Sequence, residues 1–123
     1  MIKGEDFAEF WIEEGILYFT YKLNAIIDLE AARAVLKSRL RFQDGESYPI
    51  LCDLRLLKTV TKPARDYLAI QGSVNAVAVA VVIEESYSGT LTRAFINISN
   101  PSIPTREFTT IPDALKFLEK YKK

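Results

Sequence analysis

The sequence predicts an α/β protein on a mostly parallel five-stranded sheet, with elements in the order β-β-α-β-α-β-α-β-α. Three observations lead there. Short segments rich in aromatic and β-branched residues alternate with longer ones whose apolar residues recur at helical spacing. The stretch from Ala76 to Ile83 is apolar at all eight positions, as a strand covered on both faces requires. The composition is that of an ordinary globular chain, 123 residues with 49% hydrophobic and 26% charged. Such a chain buries roughly two-thirds of its unfolded surface and needs no disulfide or metal staple.

Each element has its own signal. Phe7, Phe10, Trp11 and Ile12, then Ile16 to Lys22, read as two strands parted by the turn-like Glu13-Glu14-Gly15. In the second, Leu17, Phe19 and Tyr21 alternate with the more polar Tyr18, Thr20 and Lys22. Asp28 suits a helix N-cap, and Leu29, Ala32, Leu36 and Leu40 follow at helical spacing up to about residue 43, before Gly45. Tyr48 to Leu54 is a third strand with an Ile50-Leu51-Cys52 centre, apolar on both faces. Pro63 fits the first turn of a helix that starts near Thr61 or Lys62 and stops at Gly72. Ala76 to Ile83 is the central strand. Tyr87, Leu91, Ala94, Phe95 and Ile98 share one helical face. Arg106-Glu107-Phe108 makes a short last strand, and Thr110 caps a final helix carrying Ile111, Ala114, Leu115, Leu118 and Tyr121. The first two strands can pair antiparallel; the rest are expected parallel, with right-handed crossovers. With no repeat, low-complexity tract or linker, residues 1–123 are expected to form one domain.

Composition excludes several chemistries. With no histidine, the chain has no Ser-His-Asp or Cys-His nucleophile system, no His-ligated metal and no histidine pH switch. One cysteine allows neither an intramolecular disulfide nor a thiolate cluster. The glycines, at 4, 15, 45, 72 and 89, are too scattered for a phosphate-cradling loop. No cofactor is therefore expected, and an enzyme is not. Sixteen basic residues balance sixteen acidic ones, unlike the basic domain of a nucleic-acid binder. The longest apolar run is eight residues, far short of the roughly twenty of a membrane span. The start lacks a signal-peptide pattern, so a cytoplasmic location is expected.

A few residues retain functional meaning. Glu13-Glu14 and Glu84-Glu85 are adjacent pairs at strand ends, where neighbours point to opposite faces; they read as solubilising charges. Asp53 ends a buried strand, where open α/β sheets tend to hold ligands; it can equally accept hydrogen bonds from its own loop. Cys52 reads as an inert buried thiol. Residues 1–32 carry two basic and seven acidic groups, whereas residues 33–65 carry eight basic and three acidic. The basic set is Arg33, Lys37, Arg39, Arg41, Arg55, Lys58, Lys62 and Arg65. It forms either a cationic surface for an acidic partner or anionic lipid, or two ordinary solvated helix faces. Thr61 can cap the second helix, or hold a phosphate at the helix N-terminus beside Lys62 and Arg65. Phe19, Tyr67, Tyr87 and Phe95 could line a space for an apolar ligand.

The stretch Tyr48-Pro49-Ile50-Leu51-Cys52-Asp53-Leu54-Arg55, then Thr59 to Leu68, and the tail from Asn100-Pro101-Ser102 through Arg106-Glu107-Phe108 to Pro112-Asp113-Ala114-Leu115-Lys116-Phe117-Leu118 together resemble small, mostly uncharacterised bacterial proteins of the SpoIIAA-like fold. STAS domains (sulfate transporter and anti-sigma factor antagonist) share that fold, and it is likened to lipid-binding SEC14 domains. The resemblance implies a regulatory module that works by binding another protein. In anti-sigma antagonists an Asp-Leu pair ends the third strand, and an Asp-Ser opens the next helix about eight residues later, the serine being phosphorylated. Asp53-Leu54 matches the first element. The second departs: Thr61-Lys62 stands there, with lysine at the acceptor position and Thr61 the nearest hydroxyl. The expectation is a non-enzymatic, protein-binding module using Asp53, Arg55, Thr61, Lys62 and Arg65, with a homodimer conceivable through the N-terminal strands. The alternative is a SEC14-like carrier of a lipid or other small apolar ligand.

Overall fold

A computed structural model describes residues 2–84 and 103–122. Strands β1 (Ala8–Glu13) and β2 (Ile16–Tyr21) form an antiparallel hairpin. Its two-residue turn needs positive φ at both positions, and Glu14 (50°) and Gly15 (81°) provide it. After the two-residue β3 (Ile26–Ile27) comes helix α1 (Leu29–Gln43). The Asp28 side chain caps α1 by accepting from the Ala31 N–H at 2.8 Å, and the left-handed Asp44 ends it. Then follow β4 (Tyr48–Asp53), the short β5 (Thr59–Val60), α2 (Lys62–Gln71) and β6 (Ala76–Val82). The chain closes with β7 (Thr105–Phe108), α3 (Ile111–Leu118) and a single turn over Glu119–Tyr121. The helix expected over residues 87–98, with Tyr87 and Phe95, lies outside the described residues.

The main sheet runs β1-β2-β4-β6-β7. β2, β4, β6 and β7 pair in parallel and β1 antiparallel, as the strand pattern predicts. β3 and β5 form a separate parallel pair, absent from the sequence reading because two-residue strands are too short to show a period. On one face of the sheet Leu17, Phe19, Tyr21, Ile50 and Val81 join Ala31, Ala32 and Val35 of α1 and Ala64 of α2. On the other, Ile16, Leu51, Ala78, Ala80 and Val82 pack with Ala114 and Leu118 of α3. Both faces of β4 and β6 are therefore apolar, which accounts for their unbroken hydrophobic runs.

One expectation is overturned inside this core. Arg39 does not belong to a cationic surface; it is 3% exposed. It lies three and four residues after Leu36 and Val35, so helical spacing turns it inward. Its guanidinium donates to the carbonyls of Gly72 and Val74, both at 3.1 Å, and to the Gln43 amide oxygen. Gln43 in turn donates to the carbonyls of Glu46 (2.9 Å) and Asn75 (2.8 Å). Two buried polar side chains thus satisfy the turn that leads from α2 into β6. Removing a charged donor from such acceptors is costly. Arg39→Ala is expected to lower unfolding free energy in urea by about 2–4 kcal/mol, with Arg39→Lys recovering only part. A loss under about 0.5 kcal/mol, the range of neutral surface changes, would contradict this bracing role.

Candidate functional site

Parallel pairing of β2 with β4 brings their carboxyl ends to the same edge of the sheet. The loops that leave these ends are tied together. The Asn24 N–H donates to the Leu56 carbonyl at 2.8 Å, and the Lys58 N–H to the Ala25 carbonyl at 2.9 Å. The β3–β5 pair and a bond from the Thr61 N–H to the Ile27 carbonyl (2.9 Å) continue the seam to the start of α2. On this braced ledge three large aliphatic side chains face solvent: Leu23 (70% exposed), Ile26 (53%) and Leu56 (46%).

The residues nominated from the sequence flank the ledge. Asp53 is buried at the end of β4. Its Oδ1 accepts from the Arg55 backbone N–H (3.0 Å) and Nε (2.9 Å), and its Oδ2 accepts from Nη2 (2.8 Å). This two-pronged bond holds the half-buried guanidinium charged, above its ordinary pKa, with Glu84 adding a smaller pull. Asp53 therefore braces its own loop and aims Arg55 outward. Thr61 caps α2, its hydroxyl accepting from the Ala64 N–H at 3.3 Å. Lys62 pairs with Asp66 one turn on at 2.9 Å, both side chains being exposed, so the pair contributes little to stability. Arg65 is half-buried, and among the described residues its buried Nε and the Oδ1 of Asp66 have no hydrogen-bond partner. Arg55 and the first turn of α2 thus stand at one edge with Leu23, Ile26 and Leu56 between the loops. The aliphatic trio escaped the sequence reading. Leu23 and Leu56 lie in turns, where hydropathy has no period to mark them; the only available sign was a leucine beside turn residues.

The aromatic lining is only partly realised. A cavity of about 130 Å³ lies between α1, α2 and the sheet, and Phe19, Tyr21, Cys52, Leu68 and Val81 border it. Tyr67 does not; its ring lies under the Arg33 guanidinium, 5.9 Å away. Tyr87 and Phe95 are outside the described residues. Small-molecule sites usually enclose about 300–1,000 Å³, so this space falls short of a lipid chain. Among the described residues no group of three or more His, Cys, Asp or Glu side chains could hold a metal ion. Nor is any described helix long and apolar enough to cross a membrane.

Comparison with known structures places the architecture in the SpoIIAA-like class. An uncharacterised protein from the DUF3478 family of Shewanella loihica PV-4, with a SpoIIAA-like fold, superposes with a TM-score of 0.66. It shares 14% identity, over 90% of this chain and 91% of that one. An anti-sigma factor antagonist from Mycobacterium paratuberculosis superposes with a TM-score of 0.60 at 19% identity, over 91% and 92% of the two chains. At these identities the likeness establishes the fold. The chain itself belongs to the family described as a domain of unknown function, DUF7793, matched over residues 10–122. A comparison with curated proteins finds no match.

Cys52 gives this region a measurable pH signature. Its thiol borders the cavity, and burial, helped by the negative charge of Asp53, pushes its pKa from 9.0 up to about 12. Iodoacetamide labelling of the folded protein is therefore expected to be slow at pH 8 and to accelerate as pH approaches 12. Because the unfolded thiol ionises first, this group's contribution to stability is present below about pH 9 and lost as pH rises towards 12. Rapid labelling at pH 8 by the folded chain would show the thiol to be ionisable at ordinary pH.

Proposed function

We propose that this chain is a non-enzymatic regulatory module of the STAS type, which binds a protein partner through the carboxyl edge of its parallel sheet. One observation carries this reading: Leu23, Ile26 and Leu56 are exposed on loops held rigid by backbone hydrogen bonds. A fixed apolar patch can be covered at little cost in ordering, and each such side chain gains about 1.5–3 kcal/mol when fully buried. Arg55, Lys62 and Arg65 stand on the elements that adjoin the patch and favour an acidic rim on the partner. Asp53 orients Arg55, and Thr61 holds the start of α2. A phosphate on Thr61 would take over the capping role at the positive end of the helix, beside Lys62 and Arg65. The fold is also that of a protein named as an anti-sigma factor antagonist, a kind of regulator whose name implies a protein target.

The reading is tested by affinity capture from the native host with four versions of the tagged chain. The unaltered chain and Ile70→Asp, a change on exposed surface at the far end of α2, are expected to recover the same partner. Leu56→Asp and the double change Lys62→Glu with Arg65→Glu are expected to lose it, each weakening binding by about tenfold or more while circular dichroism stays unchanged. Equal recovery by all four versions would overturn the assignment of this edge.

A further inference from the structure

Helix α3 covers only part of its side of the sheet. It packs on β4, β6 and β7, through Leu51, Ala78, Ala80, Val82 and Phe108. At the hairpin end of the β1–β2 half, Ile16 is buried with α3 and the Lys122 side chain lies against Gly15, whereas Glu9, Trp11 and Glu13 of β1 are exposed. There the Trp11 ring, 39% exposed, stacks flat on Tyr18, with centroids 5.1 Å apart and planes 8° apart. Register puts Glu9 and Glu13 of β1 on the same face as Trp11, and Glu14 follows in the turn; all three are exposed. This half is aromatic, and its three acidic groups outnumber its two cations, Lys22 at the far end of β2 and Lys122 within electrostatic reach of Glu14.

The other half is raised and basic. Arg106 projects from β7 over the rings of Phe108 and Phe117, 5.7 Å from each. Lys116 is exposed on α3, and Lys120, just after it, sits over Phe117 (5.7 Å) and Tyr121 (5.3 Å). The acidic groups there are Asp113 and Glu119, the latter paired with Lys122 at 3.0 Å. Register ties the halves together. Trp11 pairs with Tyr18, Tyr18 with Leu51, Leu51 with Ala80, and Ala80 with Arg106. Trp11 and Arg106 therefore mark the two ends of one line across the sheet.

We propose that this face is the contact between two copies of the chain, related by a two-fold axis that lies in the contact and runs along the strands. Such an axis exchanges left for right and keeps height along the strands. It seats the partner's α3 on the exposed part of the β1–β2 half, with the partner's Arg106 over Trp11 and its Lys116 and Lys120 beside Glu9, Glu13 and Glu14. The same contact forms twice, as an isologous interface requires. A two-fold axis running across the strands would instead set Glu9 and Glu13 against their own copies, which like-charge repulsion disfavours. A helix ridge on one half and a flat patch on the other, with opposite charge, make the face complementary to itself.

Charge exchange on the full-length chain tests the proposal. The unaltered protein is expected to sediment as a dimer at low salt and to dissociate on dilution or added salt. Trp11 is the only tryptophan, so its emission should shift to the red as the dimer dissociates. Glu9→Lys with Glu13→Lys, and separately Arg106→Glu with Lys120→Glu, should each weaken self-association by about tenfold or more. Mixing the two variants should restore a dimer containing one of each, since both contacts again join opposite charges. A chain that stays monomeric at its highest soluble concentration in low salt overturns the proposal. So does a dimer indifferent to both double changes, one whose dissociation leaves Trp11 emission unmoved, or a variant mixture that does not re-associate.

Discussion

Parallel hydrogen bonding between β2 and β4 is the constraint on which the site depends. Parallel strands cannot be joined by a tight turn, so the chain must leave each at the same edge and return over a face. The exits of β2 and β4 are therefore neighbours, and their loops meet whatever their sequences. Once they meet, unpaired backbone groups bond across the seam, as Asn24 does to Leu56 and Lys58 to Ala25. The result is a rigid ledge at the N-terminus of α2. A less demanding topology would have scattered Leu23, Ile26 and Leu56 over separate mobile loops.

The same constraint explains the asymmetry of the two faces. The described crossovers put α1 and α2 on one side, and both are needed there to cover the strands they connect. The other side has α3, eight residues long, about 12 Å at 1.5 Å per residue. One helix of that length cannot cover five strands spaced about 4.8 Å apart. Among the described residues the antiparallel strand β1 is left at the exposed edge of that face, and its outward Glu9 and Glu13 carry charge. Self-association through that half would leave the ledge formed by β3, β5 and the start of α2 a separate surface.

Charge needs reading by position rather than by count. In the sequence the eight cations of residues 33–65 read as either one surface or two solvated helix faces, and in the structure their roles diverge. Arg39 is a buried brace, Arg55 is held by Asp53, Lys62 is paired with Asp66, and Arg33 lies over Tyr67. Nothing in the composition separates an arginine that satisfies backbone carbonyls from one that waits for a partner. Helical phase could have separated them at Arg39, whose spacing from Val35 and Leu36 puts it on the inward stripe. For Arg55 only the two-residue return to Asp53 within a loop decides its aim.

Hydropathy period, caps and turn residues were enough to read most of the element order and the parallel character of the sheet, because those signals are local. Asp28, Thr61 and Thr110 each cap the helix that follows them, and Gly15 sits in the turn that needs positive φ. The absence of histidine and the single cysteine likewise limited the chemistry before any folding was considered. The exposed ledge, the burial of Arg39, the departure of Tyr67 from the cavity and the half-covered face could not be read this way. Each depends on segments far apart in the chain arriving side by side, and a side chain's exposure is set by what lands on it.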